Sequence, residues 1–235
     1  MRIWHISDTH CHHDKLKVPE GIDLVIHSGD ASNLKDPYAN EHEMRSFITW
    51  FDGLKIPSKV FVAGNHDTSI ERTLIHPEDI KALGIKYLHN ETVEIMGLKI
   101  WGSPYVPRFG DWAFMKPRGK MMDKVWNLMD MDADILVTHS PPKGILDLTG
   151  GYMQVSDNEK DRIRIMENVG CESLRKKVLE LKPKLHCFGH IHGSNKIYNS
   201  GTLRPSGMRT IFSNGACCSH RREGSFFFNG NVIEL

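Results

Sequence analysis

The sequence predicts an α/β fold built on two sheets, and three observations support this prediction. Short apolar runs with no polar face recur along the chain, as buried parallel strands do. A stretch with apolar residues at helical spacing separates the second run from the third, which indicates a βαβ unit with a right-handed crossover. From residue 86 onward the pattern changes to short strands joined by turns, which indicates a second sheet.

The first part of the chain supplies the βαβ unit. Residues 1–6, 23–27 and 59–63 are the apolar runs, and a polar motif follows each of them. Residues 40–54 form the predicted crossover helix, because their apolar side chains repeat every three to four positions. Residues 69–83 also have a helical pattern, but a proline interrupts it and divides the segment into two pieces.

The remainder of the chain alternates short strands with two helices. The strand at 85–88 is predicted to begin the second sheet, and the C-terminal strands are predicted to close it. The polar segment 144–161 contains a Gly150-Gly151 pair and is predicted to be mobile and close to the functional site. The predicted strands are 85–88, 92–96, 98–101, 134–137, 185–188, 210–212, 225–228 and 232–233, and the predicted helices are 120–129 and 171–181.

The composition excludes several classes of partner. Lysine and arginine total 30 and aspartate and glutamate total 29, so the net charge of +1 provides no general attraction to nucleic acid or to an anionic membrane. A small anionic substrate is therefore expected rather than a long nucleic acid. The 14 histidines are the one compositional anomaly, and histidine is the commonest metal ligand and proton shuttle.

The length and the cysteines of the chain indicate its domain number and its cellular compartment. We expect residues 1–235 to form one domain, since single α/β cores often reach this size. The five cysteines are an odd number with no CxxC spacing, which is typical of a reducing compartment. No signal-peptide pattern and no apolar stretch of about 20 residues is present, so a cytoplasmic location is predicted. The oligomeric state stays open.

Five polar motifs follow the predicted strands and carry the chemistry. In open α/β sheets, ligands collect beyond the carboxyl ends of the strands, so we expect the motifs to converge on one edge. Asp8 and His10 are two positions apart, and an extended strand end would aim both side chains the same way, as it would His190 and His192. The motifs are Asp8-Thr9-His10, Gly29-Asp30, Gly64-Asn65-His66-Asp67, Thr138-His139-Ser140 and Gly189-His190-Ile191-His192.

These residues predict a site for two metal ions. Nitrogen and oxygen ligands without thiolate suit Mn, Fe, Zn, Co or Ni and argue against a structural zinc cage. Asp30 is the predicted bridge between the ions. The ligands of one ion would be Asp8, His10 and His192, and those of the other would be Asn65, His139 and His190.

The metal pair would generate a hydroxide and hold a phosphoryl group for in-line attack. With two cations, two aspartates and a bridging hydroxide, the site carries about +1, which matches a phosphodiester monoanion. His66 follows the ligand Asn65 and is predicted to be the general acid that protonates the leaving alkoxide, with Asp67 orienting it or supporting its charge. Asn65 and His66 would also contact the phosphate.

The motif series resembles that of the calcineurin-like metallophosphoesterases over residues 3–192. The chain is more narrowly similar to the metallophosphoesterase-domain-containing proteins, in segments that extend over most of its length. The resemblance implies a four-layer αββα sandwich of two mixed β-sheets flanked by helices, a dinuclear site that manganese often activates, and phosphodiesterase activity, often on cyclic nucleotides. The segments are 98–104, 117–119, 138–142, 169–171 and 182–186.

Two alternatives to the phosphodiesterase remain open. One is a phosphomonoesterase or protein phosphatase, although the Gly-Asn-His-Glu context of protein phosphatases is absent because Asp67 follows His66. The other is a metal-binding scaffold without turnover. Some animal members of the family carry glycine at the position of His190, which weakens metal binding, whereas the histidine is present in this chain.

Several residues near the motifs allow two interpretations. His27 either orients a metal ligand or is a core histidine with satisfied hydrogen bonds. Trp112 and Phe114, with Arg108 and Arg118 nearby, either stack a base and hold a ribose or phosphate, or pack the long loop 102–120 onto the sheets.

Overall fold

The computed structural model describes residues 1–154, 162–193, 197–218 and 228–235. No helix in these ranges is both long and apolar enough to cross a membrane. In chain order the elements are β1 (Arg2–Ile6), a 3-10 turn (His13–Lys15), β2 (Leu24–His27), α1 (Pro37–Gly53), β3 (Ser58–Phe61), α2 (Thr68–Glu71), α3 (Pro77–Ala82), β4 (Lys86–Tyr87), β5 (Glu91–Ile95), β6 (Leu98–Ser103), β7 (Val106–Pro107), β8 (Met115–Lys116), α4 (Lys120–Trp126), β9 (Ile135–Thr138), β10 (Leu148–Gln154), β11 (Arg162–Asn168), α5 (Glu172–Leu181), β12 (Leu185–Phe188), β13 (Gly201–Leu203), β14 (Ile211–Asn214) and β15 (Asn231–Glu234).

Two mixed sheets form the centre of the molecule. The first has the strand order β15-β1-β2-β3-β4 and the second has the order β13-β14-β12-β9-β6-β5. Strands β1 to β4 are parallel, and β15 pairs with β1 in the antiparallel direction. In the second sheet, β6, β9, β12 and β14 are parallel, while β5 and β13 are antiparallel edge strands.

Three apolar clusters show the order of the layers. One cluster joins α1 to the first sheet through residues such as Phe47 and Phe61. A second lies between the two sheets and includes Ile26 and Val137, and a third joins the second sheet to α4 and α5. Helix, sheet, sheet and helix layers therefore stack on one another, and the predicted αββα sandwich is confirmed.

Two sequence-based expectations about the sheets were wrong. Strand β4 pairs with β3 in the first sheet and does not begin the second, which starts at β5. The C-terminal strand β15 pairs with β1, so it closes the first sheet rather than the second. Sheet membership depends on which edge is free after the core has packed, and the hydropathy pattern of a strand is the same for either partner. The predicted strand at 225–228 begins in residues that lie outside the described ranges.

The described part of the segment predicted to be mobile contains strand β10, which pairs with β11. Strands β10 and β11 pair in the antiparallel direction from Leu148 opposite Asn168 to Gln154 opposite Arg162. At its base, the carboxylate of Asp147 accepts hydrogen bonds from the amides of Gly144 and Gly170 and from the Asn168 side chain. This anchoring explains why a glycine-rich polar stretch adopts a regular structure here. Residues 155–161 of the predicted segment lie outside the described ranges.

Candidate metal centre

The five motifs meet where the two sheets face each other. Asp8-Thr9-His10, Gly29-Asp30 and the motif at 64–67 follow β1, β2 and β3 of the first sheet. The motifs at 138–140 and 189–192 follow β9 and β12 of the second sheet. Convergence on a single sheet edge was therefore wrong, because two edges contribute. The carboxyl ends of both sets of parallel strands reach the same side of the sandwich, which brings the motifs together.

The chain leaves the strands in left-handed turns rather than in extended conformation. The φ angles are 51° at Asp8, 41° at His10, 55° at Asp30 and 67° at His190. The expected extended geometry of the Asp-x-His and His-x-His pairs was wrong for this reason. Non-glycine residues in this region cost about 1–3 kcal/mol each and concentrate at functional sites.

At two positions of the motifs the backbone lies so close to a carboxylate that only glycine fits. A Cβ atom on Gly189 would overlap the carboxylate of Asp8, and one on Gly64 would overlap the carboxylate and amide of Asp30. Glycine alone has no side chain at these positions. The glycines therefore let the second sheet reach Asp8 and let the third motif lie against Asp30.

The first group of ligand atoms contains Asp8, His10 and His192. The Asp8 Oδ1 atom lies 2.7 Å from His192 Nε2, and His192 Nε2 lies 3.3 Å from His10 Nε2. The Asp8 carboxylate also accepts the amide hydrogen of His190 at 2.9 Å, which holds it in place. All three ligand atoms lie within 4.8 Å of one another, as donors to a single ion must.

The second group contains Asp30, His139, His190 and Asn65. His139 Nε2 lies 3.2 Å from Asp30 Oδ2 and 3.1 Å from Asn65 Oδ1. The His190 ring lies 5.0 Å from the His139 ring, and its ligand atom is within 4.8 Å of those of Asp30 and His139. The structure thus brings all seven predicted ligand side chains together, in two groups of neighbouring donor atoms. That they bind metal stays a prediction.

Backbone carbonyls fix the orientation of two of the histidine rings. His139 donates from Nδ1 to the carbonyl of Ser28 at 2.9 Å, and His10 donates from Nδ1 to the carbonyl of Ser32 at 3.1 Å. When either ring is neutral, its Nε2 is therefore unprotonated and faces the site. Such bonds orient a metal-binding histidine and raise its basicity. The donor set, its burial and these tautomers all fit two divalent first-row ions.

The electrostatics of the site follow from its burial. Burial opposes ionisation of Asp8 and Asp30, yet the neighbouring His192 and His139 hold the pKa of each carboxyl well below its usual range. For the His139 imidazole, burial lowers the pKa, but the stronger combined effect of Asp30 and Asp8 raises it to about 9. Without metal, His139 is therefore an imidazolium paired with Asp30 at neutral pH.

Metal binding is expected to release a proton from His139. The ion needs a neutral Nε2, so a proton must leave at any pH below about 9, and the apparent affinity should fall as the pH decreases. Titration of metal-free protein with Mn²⁺ in buffers of different ionisation enthalpy between pH 6.5 and 8 gives the number of protons released. We expect at least one proton to be released for every two ions bound. Metal binding without any proton release would contradict the assignment of His139 as a ligand.

His66 lies at the entrance to the two clusters without joining either predicted set. Its Nδ1 contacts the carbonyl of Asn33 at 2.9 Å, so Nε2 is the nitrogen left for the site. Trp112 packs against the imidazole at a tilt of 34° with 4.2 Å between ring centroids, and His10 meets it edge-on at 4.8 Å. This position is suitable for a general acid, and His66 could also reach an ion held by His10 and Asp30.

Asp67 does not orient His66 as expected. Its buried carboxylate accepts hydrogen bonds from the amides of Asp30, Ser32 and Gly64 and from the Ser32 hydroxyl. Burial and the nearby charge of Asp30 raise the pKa of Asp67 to about 6. Asp67 therefore joins the second motif to the third by hydrogen bonds, and the Asn33 carbonyl orients the His66 ring. The backbone turn at residues 64–67, which aims Asp67 inward, causes the difference.

His27 holds the loops of the first two motifs together and does not contact a candidate ligand directly. Burial lowers its pKa to about 3, so the ring is neutral. Its Nδ1 accepts the Gly29 amide hydrogen at 3.2 Å, and Nε2 donates to the Thr9 hydroxyl at 3.1 Å. His27 therefore joins the first two motifs and is a core histidine with satisfied hydrogen bonds.

Asn40 and Glu43 of α1 were missed by sequence reasoning. Asn40 is fully buried, and its side chain donates to the carbonyls of Leu34 and His66. Glu43 accepts the amide hydrogens of Asn33 and Leu34. A signal for Asn40 existed, because this polar residue lies on the same helical face as the buried Met44, Phe47 and Phe51.

A cavity of about 330 Å³ opens beside the ligand clusters, and most of the residues that line it beyond these clusters are apolar. Phe109, from the loop between β7 and β8, lines it and lies 5.2 Å from the His190 ring. Phe114 is in the core instead, so it is unavailable to a base. Arg118 lines the cavity, but its guanidinium donates to Glu172 and to the carbonyls of Val169 and Gly170. The cavity can hold a small organic ligand.

Comparisons with known proteins agree with this site. Residues 1–194 match the family model described as calcineurin-like phosphoesterase. The human metallophosphoesterase domain-containing protein 1 is 31% identical over 91% of this chain, which spans 65% of the length of that relative. The Caenorhabditis elegans UPF0046 protein C25E10.12 is 31% identical over 94% of the chain and 76% of its own length.

The fold is also found in a protein of low sequence identity. A crystal structure of TT1561 of Thermus thermophilus has a TM-score of 0.60 at 14% identity, with 92% of this chain and 90% of that one covered. At this identity the likeness concerns the fold alone. The family match, which covers most of the chain and all five motifs, establishes that this protein belongs to the calcineurin-like phosphoesterases, and its His/Asp clusters are candidate metal sites.

Proposed function

We propose that this protein is a metal-dependent phosphodiesterase that hydrolyses small phosphodiesters, with 2′,3′- or 3′,5′-cyclic nucleotides as the substrate class. One observation carries the proposal. Two His/Asp ligand clusters line a cavity of about 330 Å³ whose wall also includes the apolar residues Pro107, Phe109, Val169 and Ile191. Manganese is the proposed activator, with iron, zinc, cobalt or nickel as other ions that suit these ligands.

The charge of the cavity favours a diester over a monoester. Arg118 is the only lysine or arginine among the described residues that line it, and Glu172 already accepts from its guanidinium at 2.8 Å. With two ions, two aspartates and the attacking hydroxide, the net charge of about +1 suits a monoanion. A monoester dianion would need a further permanent cation, and the Arg118 guanidinium, the one such group among the described lining residues, is already engaged by Glu172.

The residues of the chain divide the chemistry among them. When bound, two divalent ions supply Lewis acidity and activate water for attack on phosphorus. The Asn65 Oδ1 atom lies 3.1 Å from His139 Nε2, so Asn65 would help to hold an ion and would contact a phosphate oxygen when both are bound. In its imidazolium form His66 keeps the Nδ1 proton on the Asn33 carbonyl and can donate the Nε2 proton to the leaving oxygen.

The proposal is tested with purified protein and defined metals. In the presence of Mn²⁺, hydrolysis of bis-p-nitrophenyl phosphate should be faster than that of p-nitrophenyl phosphate, and members of a cyclic-nucleotide panel should be cleaved. A preference for the monoester would support a phosphomonoesterase of the same fold. No hydrolysis, together with less than one ion per chain by metal analysis, would support a scaffold.

Phe109→Ala is expected to weaken the binding of nucleotides but not of simple sugar phosphates. The ring is 58% exposed at the cavity and can stack on a base, an interaction of about 1–3 kcal/mol. Inhibition by AMP should therefore weaken by about fivefold or more. Inhibition by ribose 5-phosphate, which lacks the base, should not change. Equal weakening of both inhibitors would show that Phe109 supports the metal cluster through His190 instead.

A further inference from the structure

We infer that Glu43, on the surface of α1, is a positioning residue for His66 and acts through the backbone carbonyl of Asn33. The inference rests on the proposed function, because it gives His66 the role of general acid. Glu43 does not itself belong to the predicted ligand set, and nothing in the motif series points to it.

The Asn33 carbonyl is the hydrogen-bond partner that selects the tautomer of His66. The carbonyl oxygen lies 2.9 Å from His66 Nδ1. Because a carbonyl can only accept a hydrogen bond, Nδ1 keeps its proton and Nε2 faces the site. A general acid must hold its proton within hydrogen-bond reach of the leaving oxygen. A rotation of the Asn33 peptide would remove the partner and release the ring to the other tautomer or rotamer.

Glu43 holds the peptide segment that carries this carbonyl. Its Oε2 atom accepts the amide hydrogens of Asn33 and Leu34, each at 2.8 Å. A carboxylate that accepts two amide hydrogens makes charge-assisted bonds, which are about twice as strong as neutral ones. These two bonds fix the peptide planes on both sides of Asn33 and therefore the direction of its carbonyl.

Helix α1 provides a rigid base for the arrangement. Asp36 caps its first turn by accepting the Ala39 amide hydrogen, and its apolar face is buried against the first sheet. Asn40, one turn before Glu43, donates to the Leu34 and His66 carbonyls at 2.8 Å. The same helix thus holds the main chain of His66 through Asn40 and the partner of its ring through Glu43.

The test compares Glu43→Ala with Glu43→Gln. Alanine removes the acceptor, while glutamine keeps one oxygen for the two amides and can direct its amide NH2 group toward the neighbouring thiol of Cys11. Glu41→Ala is the matched control, because that carboxylate lies on the same helix but pairs with Arg45 on the outside of the protein. Thermal unfolding of all three variants checks that they fold.

We expect Glu43→Ala to lower turnover of a cyclic nucleotide by about 10- to 100-fold, as removal of an orienting partner commonly does. Turnover of bis-p-nitrophenyl phosphate should change little, because p-nitrophenolate leaves without a proton. Glu43→Gln should restore most of the loss, and Glu41→Ala should match the wild type. Equal losses on the two substrates, or no loss on either, would overturn the inference.

A second measurement separates this inference from the proposed function. The ¹⁵N chemical shifts of the His66 ring report its tautomer whether or not the protein turns over any substrate. In the wild type and in Glu43→Gln the Nδ1-protonated form should dominate, and in Glu43→Ala the two tautomers should mix. An unchanged tautomer in Glu43→Ala would refute the positioning role even in an active enzyme, whereas an inactive wild type with the expected shifts would refute only the function.

Discussion

Substitution of Asp30 by alanine is expected to remove both metal ions and abolish hydrolysis. Asp30 is buried, its Oδ2 lies 3.2 Å from His139 Nε2, and its carboxylate belongs to two of the three candidate triads. A bridging carboxylate serves both ions, so its loss should exceed the roughly 10- to 100-fold effect of removing an outer-shell partner. Metal analysis after dialysis should find close to no ion bound, and activity with Mn²⁺ should fall by more than about 100-fold.

Two further variants make the Asp30 result specific. Asp30→Asn keeps the acceptor for the His66 amide, at 2.7 Å in the native protein, and tolerates the left-handed φ of 55°. It should therefore fold normally while losing metal. Asp8→Ala removes a ligand from the first triad alone, so about one ion should remain. Equal metal contents in the Asp8 and Asp30 variants would contradict the bridge.

Substitution of His66 by alanine should affect substrates according to their leaving group. General acids contribute about 10²- to 10⁴-fold, and this contribution is needed only where an alkoxide must be protonated. Turnover of cyclic nucleotides should therefore fall by about 10²-fold or more, while turnover of bis-p-nitrophenyl phosphate should fall much less. The measurement is kcat for both substrates at saturating Mn²⁺.

Metal content distinguishes the two roles open to His66. As an acid it can be replaced without loss of metal, whereas as a ligand with His10 and Asp30 it cannot. We expect His66→Ala to retain two ions per chain. Equal loss of turnover on both substrates, with less metal bound, would reassign His66 as a ligand.

Trp112→Ala removes the ring contact with His66, at 4.2 Å between centroids, but leaves the proton donor in place. Turnover of cyclic nucleotides should therefore fall more than turnover of bis-p-nitrophenyl phosphate, by a smaller factor than in His66→Ala.

The sequence alone predicted the layers of the fold and the residues that meet at the candidate metal site. Strand and helix periods are local, so the βαβ unit, the hairpin of β5 and β6 and helix α5 lie where expected. The ligands were identifiable because aspartate, asparagine and histidine at strand ends are visible as residue types. Their division into two groups of donor atoms also agrees with the predicted one.

Only the tertiary structure decided which groups orient those ligands. The partners of His10, His139 and His66 are main-chain carbonyls of Ser32, Ser28 and Asn33, and a carbonyl carries no signature in the sequence.

The role of Asp67 and the sheet membership of β4 and β15 depended in the same way on contacts distant in the chain. A side chain at a strand end can face the site or the loop beneath it, and the left-handed turns at Asp8, Asp30 and His190 decide between these directions. Residue identity therefore specifies the chemistry of this site, while long-range packing of loops on α1 and between the sheets specifies its geometry.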